Sequence, residues 1–492
     1  MQWKWKRPYA IMATSFCSGG KGGVMHITKR EFLRGLGFGG AALAAGAVRG
    51  DEFVAAKEGL PPGSCGDPDN VRFGRHIFPL GRTMSDGPSC LMRDGRVFEP
   101  AKEIAVFHET DVAVVGGGPA GFSAAVSAAR AGAKVALVER YGSLGGLFTN
   151  GMVLIMLATG RRGPSGKWSL VARGVCEEFM RRVGAYGDNF CHPAASTMPG
   201  RHWQPTVDPE CAKVTMDDMA SEAGVEVFFH CWGVDVVQDG GKVLGVVFES
   251  KEGRNAILAR QVVDCTGDAD MLFRAGGDYR QVTAPISTVF RWANMDTIVA
   301  SKTPGAPFLS RGNEGNPDAC WTGVGMVKGN GLSVRDLSRI EVEMRRRNWD
   351  VVMRMRSTPG WEKVYTSNSA SQIGVRQSRL VDTEFVTGRE EIRRGLDFSD
   401  VVGWCGHDGP HDAFPVCYRQ ILPKRIDNLL CAGRCLGKGD TIDTFRLICP
   451  CFVTGQAAGV AAALAAKKGV APRDLAFSDV ARALDAQNVC RS

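Results

Sequence analysis

No run of about 18 apolar residues occurs in the chain, so no segment has the length to cross a bilayer as a helix. The longest candidate, Ala457–Ala466, stops at Lys467-Lys468 and reads as a buried helix. Basic residues do not interleave with aromatics in any stripe, which removes the usual footprint of a nucleic-acid binder. The net charge is only +8, and Arg345-Arg346-Arg347 reads as a solvated helix face. The 16 cysteines form no C-x-x-C pairs at zinc spacing, and no metal-ligand set is expected. Internal repeats and low-complexity linkers are absent, which removes solenoid arrays and tethered modules. What remains is ordinary globular composition, 44% hydrophobic and 23% charged, with length enough for two domains.

The informative part is residues 111–146, DVAVVGGGPAGFSAAVSAARAGAKVALVERYGSLGG. An apolar run, Val112–Val115, stops at Gly116-Gly117-Gly118-Pro119-Ala120-Gly121. A helix-prone, alanine-rich stretch, Ser123–Ala131, follows, then a second apolar run, Val135–Val138, ending on Glu139. In a strand–turn–helix–strand setting each glycine has a task. Gly116 permits the tight turn, Gly118 lets backbone approach a pyrophosphate, and Gly121 lets helix and strand pack closely. The pyrophosphate would sit on the helix N-terminus, where unpaired N–H groups and the dipole favour an anion. Glu139 is placed to accept hydrogen bonds from a ribose diol. An acid at that position disfavours a 2′-phosphate, so NADP is not expected.

The N-terminal region carries Thr28-Lys29-Arg30-Glu31-Phe32-Leu33 ahead of a small-residue run, Gly35–Val48, with Ala45-Gly46-Ala47 near its end. A basic region, an apolar region and a small-residue site describe a signal peptide. The alternative is an amphipathic N-terminal helix. A start at Met25 suits the signal better than one at Met1.

Further along, helices are expected near Ala172–Val183 and Pro209–Ala223. Short strands at Val225–His230, Val234–Gln238, Val243–Glu249 and Ala256–Ala259 read as an antiparallel meander. A buried strand, Gln261–Asp264, runs into Cys265-Thr266-Gly267-Asp268-Ala269-Asp270. Near the end, Asn428–Ala432 reads as a strand into the turn Gly433-Arg434, and Gly455-Gln456-Ala457-Ala458 reads as the opening of the last long helix.

Four blocks together resemble the FAD-dependent oxidoreductases of the two-dinucleotide-binding-domain flavoprotein fold, distant relatives of fumarate reductase flavoproteins. They are GGGPAGFSAA with VERYGSLGG, VVDCTGDADMLFRAG, QIGVRQSRLVDTEFVT, and YRQILPKRIDNLLCAGRCLG with FRLICPCFVTGQAAGVAAA. The resemblance implies an α/β fold: a Rossmann-like, glutathione-reductase-like FAD-binding domain with an antiparallel meander and an inserted α+β substrate domain. Its expected limits are a signal region over 1–50, an extension over 51–108, FAD-binding parts over 109–276 and 401–475, a substrate domain over 277–400, and a tail over 476–492. The form T-K-R-E-F-L resembles a twin-arginine signal with Lys in the first arginine place, which implies export to the periplasm with cofactor bound. A cytoplasmic protein is the alternative.

The resemblance also distributes roles. Gly116, Gly118, Pro119, Ala120, Gly121 and Glu139 would hold the ADP half of FAD. Arg140 would be the basic residue that follows the acid in the pattern, the Gly145-Gly146 pair would lie near the phosphates with Thr149 just beyond it, and Gly233 joins the cofactor contacts. Thr266, Gly267 and Asp268 would return past the phosphates and ribityl chain. Gly433 and Arg434 stand where many flavoproteins have Gly-Asp. Gly455, Gln456, Ala457 and Ala458 would aim helix amides at the flavin, or serve only as small residues for close packing. Arg446 would reach the flavin or an anionic substrate, or be a structural arginine.

The implied reaction is hydride transfer between a small organic substrate and flavin N5. A proton acceptor or donor is then needed. Candidates are His407 and His411, in a Gly/Pro-bounded loop, and Arg376, where Arg376-Gln377 replaces the family's usual Arg-Glu. His192 and His202 flank another loop. No second G-x-G-x-x-G exists to hold a nicotinamide donor, so electrons would pass to or from an external quinone or cytochrome. Two other readings stay open. Cys431, Cys435, Cys449 and Cys451 could make a thiol- or cluster-linked electron carrier, or the chain could be a non-catalytic flavin-binding module.

Overall fold

The computed structural model describes residues 90–162, 168–187, 190–192, 205–294, 319–388, 390–391, 394, 398–406 and 413–491. The expected signal region, His202, His407 and His411 lie outside them. The chain divides into two units, Met1–Lys102 and Glu103–Ser492. The described part of the first is a hairpin of Leu91–Arg93 and Arg96–Phe98.

The second unit is built on a seven-stranded sheet. Strand β1 (Ala105–Val115) pairs in parallel with β2 (Val135–Val138), and helix α1 (Pro119–Arg130) makes the crossover. Where they pair, Val112, Val114, Val115, Val135 and Val138 are buried, as parallel strands covered on both faces require. Helix α2 (Val175–Gly184) and helix α3 (Pro209–Ala223) follow. Pro209 sits in the first turn of α3, and the Asp208 carboxylate accepts from Glu210 N at 3.0 Å and Cys211 N at 3.1 Å. Gly224 ends α3 in the left-handed conformation, with φ +76°.

Strand β3 (Glu226–Phe228) then adds in parallel to β2. Strands β4 (Trp232–Asp239), β5 (Lys242–Ser250) and β6 (Gly253–Asp264) form the antiparallel meander. Two expectations are corrected here. Residues 225–230 belong to the parallel edge, not to the meander. Residues 256–259 and 261–264 are one strand, because β6 stays paired with β1 from Asn255 to Asp264 while its other edge passes from β5 to β7 (Leu429–Cys431). Strand β1 also reaches back to Ala105, well before the apolar run that identified it.

Against the expectation that no segment has the length to cross a bilayer, helix α4 (Ile448–Lys468) is the one described helix long and apolar enough to do so, but 94% of its apolar window is buried inside the fold, as expected of a core helix. It lies on α1 at backbone distance. A Cβ on Gly455 would meet Ala120 O at 2.1 Å, and one on Gly459 would meet Ala124 O at 2.1 Å. Phe122 and Phe452 close the same interface edge to face, with centroids 5.9 Å apart.

The expected α+β region has its own core of Ile286, Phe290, Trp292, Ile340, Met344 and Trp361. Two three-stranded antiparallel sheets and the helix Val334–Arg356 surround it. Ser333 caps that helix by accepting from Asp336 N at 3.2 Å.

Candidate functional site

The Gly-rich turn performs the steric tasks expected of it. Gly116 has φ +96°, and a Cβ there would meet Cys265 O at 2.5 Å. A Cβ on Gly121 would fall 1.7 Å from Gly116 O, so only glycine lets α1 sit this close to β1. Gly118 is the N-cap of α1, and no side chain caps that helix end. Its amides therefore open toward whatever lies beyond the turn. Gly146 packs directly against this turn: a Cβ on Gly146 would come within 3.0 Å of Gly118 Cα, and Gly145 N donates to Gly117 O at 2.8 Å.

The turn forms one wall of a cleft with about 830 Å³ of non-atom space, part of it open to solvent. Of the expected cofactor contacts, it gathers Gly116, Gly118, Pro119, Ala120, Glu139, Arg140, Gly146, Gly233, Thr266, Gly267, Gly433, Arg434 and Arg446. These come from segments as far apart as β1 and the start of α4. Trp232, Tyr141, Gln372, Asp270 and Ile448 also line it and had no sequence signal.

Glu139 lies at the end of β2, almost fully buried. Its oxygens accept from Gly117 N at 2.5 Å and Tyr141 N at 2.8 Å. Burial pushes its pKa up, and the two amides and Arg140 oppose that shift. A carboxylate has about four lone-pair sites, so acceptor capacity remains for a diol.

Asp268 does not line the cleft. It accepts from Arg434 Nη2 at 2.7 Å and from Ser378 Oγ. Arg434 packs across Gly267, where a Cβ would meet its Nε at 2.5 Å. Its Nη1 is buried at the cleft with no hydrogen-bond partner. An orphaned guanidinium nitrogen, an uncapped helix end and glycines that leave the cleft wall bare of side chains fit a phosphate-bearing ligand such as FAD.

Asp264, directly below, is fully buried and accepts from Thr266 N at 3.0 Å, Thr266 Oγ1 at 2.7 Å and Leu272 N at 3.0 Å. Burial raises its pKa to about 6. Arg379 ties this turn to the third sequence block, donating to Asp268 O at 2.9 Å and to Asp270 at 2.7 Å. It, too, had escaped sequence reading.

Other expected residues sit elsewhere. Gly145 and Thr149 shape the turn behind Gly146, with Thr149 Oγ1 donating to Leu144 O at 2.6 Å. Helix α4 begins at Ile448, about two turns before the expected opening at Gly455. Pro450 is tolerated in that first turn, where its missing N–H costs no helix bond. Gly455, Gln456, Ala457 and Ala458 are therefore inside the helix and away from the cleft. Gln456 Oε1 accepts from Val175 N at 3.1 Å, and its Nε2 donates to Gln487. The end of α4 that does face the cleft carries Ile448, with Leu447 as an N-cap that offers no side-chain acceptor.

Arg446 lines the cleft and donates to Asp443 at 3.0 Å. Arg376 is half-buried between Gly374–Val375 and Arg379–Val381 and does not line the cleft. Only the backbone of His192 is described, in a two-residue strand. Cys431, Cys435, Cys449 and Cys451 are buried free thiols. Burial holds the first three well above the ordinary thiol pKa and Cys451 near 12, so none carries thiolate at neutral pH. Among the described residues no His/Cys/Asp/Glu group is arranged to hold a metal.

The protein-family model described as FAD dependent oxidoreductase matches residues 111–296 and 306–484. A thiamine thiazole synthase from Methanothermobacter thermautotrophicus is 29% identical over 175 residues, covering 34% of this chain and 59% of that protein. One from Desulfosudis oleivorans is 61% identical over 169 residues, covering 33% and 57%. The matched segment thus spans less than two thirds of either relative. Among solved structures, p-nitrophenol 4-monooxygenase from Pseudomonas putida aligns over 78% of this chain and 90% of its own, at 13% identity and a TM-score of 0.40.

Proposed function

The chain belongs to the FAD-dependent oxidoreductase family, an enzyme family with FAD as cofactor, and from that premise we propose that the cleft seats FAD lengthwise. The ADP half lies between Glu139 and the Gly118 turn, and the flavin half lies toward Arg446 and Ile448. The observation that carries this reading is the continuity of one cleft from Glu139 to Ile448. Bound FAD supplies hydride exchange with a small organic substrate.

The chain's own residues provide the rest. Uncapped amides of α1 and the free Nη1 of Arg434 bind the phosphates. The N-terminus of α4 favours negative charge at the flavin end. Arg446 holds a cation there for an anionic group. His407 and His411 hold the proton that accompanies hydride. The described strands that flank their loop, Val401–Cys405 and Phe414–Cys417, pack on α4 through Gly403, where a Cβ would meet Val453 at 2.5 Å. Arg376 is the third candidate for that step. Electrons pass to or from an external quinone or cytochrome, and the twin-arginine-like segment carries the loaded protein out of the cytoplasm.

The test is anaerobic spectroscopy of the purified protein. Flavin absorbance should bleach with one member of a small-molecule panel and recover on adding a quinone. Bound FAD that no substrate or chemical donor bleaches would leave only a binding module.

A further inference from the structure

One end of the cleft holds an aromatic and cationic group whose arrangement the FAD-binding fingerprint does not call for. Trp232 opens strand β4 and lines the cleft with its side chain 55% exposed. Arg140, the residue after the ribose-binding acid, places its guanidinium 4.9 Å from the Tyr141 ring centroid and 5.7 Å from that of Trp232. Three planar groups from two separate segments therefore meet at one spot. The backbone fixes them there, since Cys231 N donates to Glu139 O at 3.0 Å and joins the two segments directly. Among the described residues, Arg140 makes no ion pair with a carboxylate, so its plane is not committed to one.

We infer that Trp232, held by Arg140 and Tyr141, is the stacking platform for the adenine base of the bound dinucleotide. The inference rests on the reading of the cleft as an FAD site. Glu139 fixes the ribose, and the base is the next group along the ligand on the side away from the phosphates. The groups adjoining Glu139 on that side are these three. A purine presents a π-face to an indole or a guanidinium plane alike. The cation–π contact fixes the indole before the ligand arrives, so little rotamer freedom is lost on binding. Trp232 is thus a positioning residue for the cofactor and takes no part in the chemistry.

The experiment titrates the apoprotein with FAD, ADP and FMN, following flavin fluorescence for the flavins and calorimetry for ADP. Wild type is compared with Trp232→Ala, Trp232→Leu and Trp232→Phe. The account expects the Kd for FAD and for ADP to rise about 5- to 100-fold in the Ala and Leu variants. Phe should restore affinity to within about threefold, and FMN, which has no adenine, should bind all four proteins equally. Leu keeps apolar bulk without a π-face, so it separates stacking from loss of packing if Ala proves unstable. ADP affinity unchanged in both the Ala and Leu variants overturns the platform while leaving the FAD site standing. A wild-type protein that binds neither FAD nor ADP overturns the site and the platform together.

Discussion

Asp268 and Arg434, 166 residues apart in the chain, form a partly buried ion pair with Nη2 donating to Oδ2 at 2.7 Å. The acid expected to face the cofactor turns away from it and anchors an arginine that does face it. One Arg434 nitrogen is neutralised, and the other is left for a ligand. Asp268→Asn removes the countercharge and strands the guanidinium, so it should cost about 3 kcal/mol. Urea denaturation of the apoprotein checks this. A companion Arg434→Gln change should recover part of the loss, because the double variant buries no unpaired charge.

Helix α4 meets α1 through Gly455 and Gly459. Alanine at either position would force its Cβ into carbonyl oxygens of α1, and should cost several kcal/mol or abolish folding. Gly184, at the end of α2, has open space around its Cβ position and no positive φ. Gly184→Ala should leave thermal stability unchanged or raise it by up to about 1 kcal/mol.

The buried acid at position 264 makes stability depend on pH. Its folded pKa, about 6, lies above the ordinary 3.8, so the folded state holds the proton more tightly than the unfolded chain. That contribution is complete below pH 3.8 and is lost as pH rises through 6, amounting to about 3 kcal/mol. Asp264→Asn should flatten the fall in unfolding free energy between pH 4 and 6, measured by denaturant titration at each pH. The sign of the pH effect, rather than the absolute stability of the variant, is the decisive reading.

Both Glu139 oxygens accept backbone N–H groups, so a side-chain amide cannot replace the carboxylate there. Glu139→Gln turns an NH2 group toward Gly117 N or Tyr141 N and sets donor against donor. FAD affinity should fall at least tenfold, read by flavin fluorescence against the wild type.

If the buried thiols are inert, Cys435→Ala and Cys451→Ala should leave the rate of anaerobic flavin reduction by substrate within about twofold. Loss of reduction in either variant, with FAD still bound, would return the thiol-linked reading.

The legible part of this molecule was whatever local sterics dictate. Gly116 and Gly121 announced a tight turn and a close helix because no other residue fits there. Glu139 announced a hydrogen-bonding task at the end of a buried strand. The illegible part depended on long-range direction. Nothing local to Asp268 says that it faces Arg434 instead of the cleft. Trp232 sits at the head of an alternating strand, where one step of register decides between outer face and cleft. The start of α4 was misplaced because the run from Gly455 looks like a helix opening, while Pro450, a first-turn residue, held the correct signal. The meander was over-extended because β3 and β4 are equally rich in strand formers, and only their partners differ.

The central claim is that the cleft beside Gly118, at the uncapped start of α1, carries the cofactor's phosphates. Gly118 has an ordinary φ of −65°, and an added Cβ would meet nothing closer than Gly146 Cα at 3.9 Å. A side chain there should spare the fold and crowd the cleft wall where the phosphates would sit. The most direct measurement is FAD per chain and apoprotein Tm for wild type and Gly118→Val. The account predicts one FAD per wild-type chain, a colourless variant, and apoprotein Tm values within about 3 °C of each other. A Gly118→Val protein that still carries one FAD per chain would contradict it.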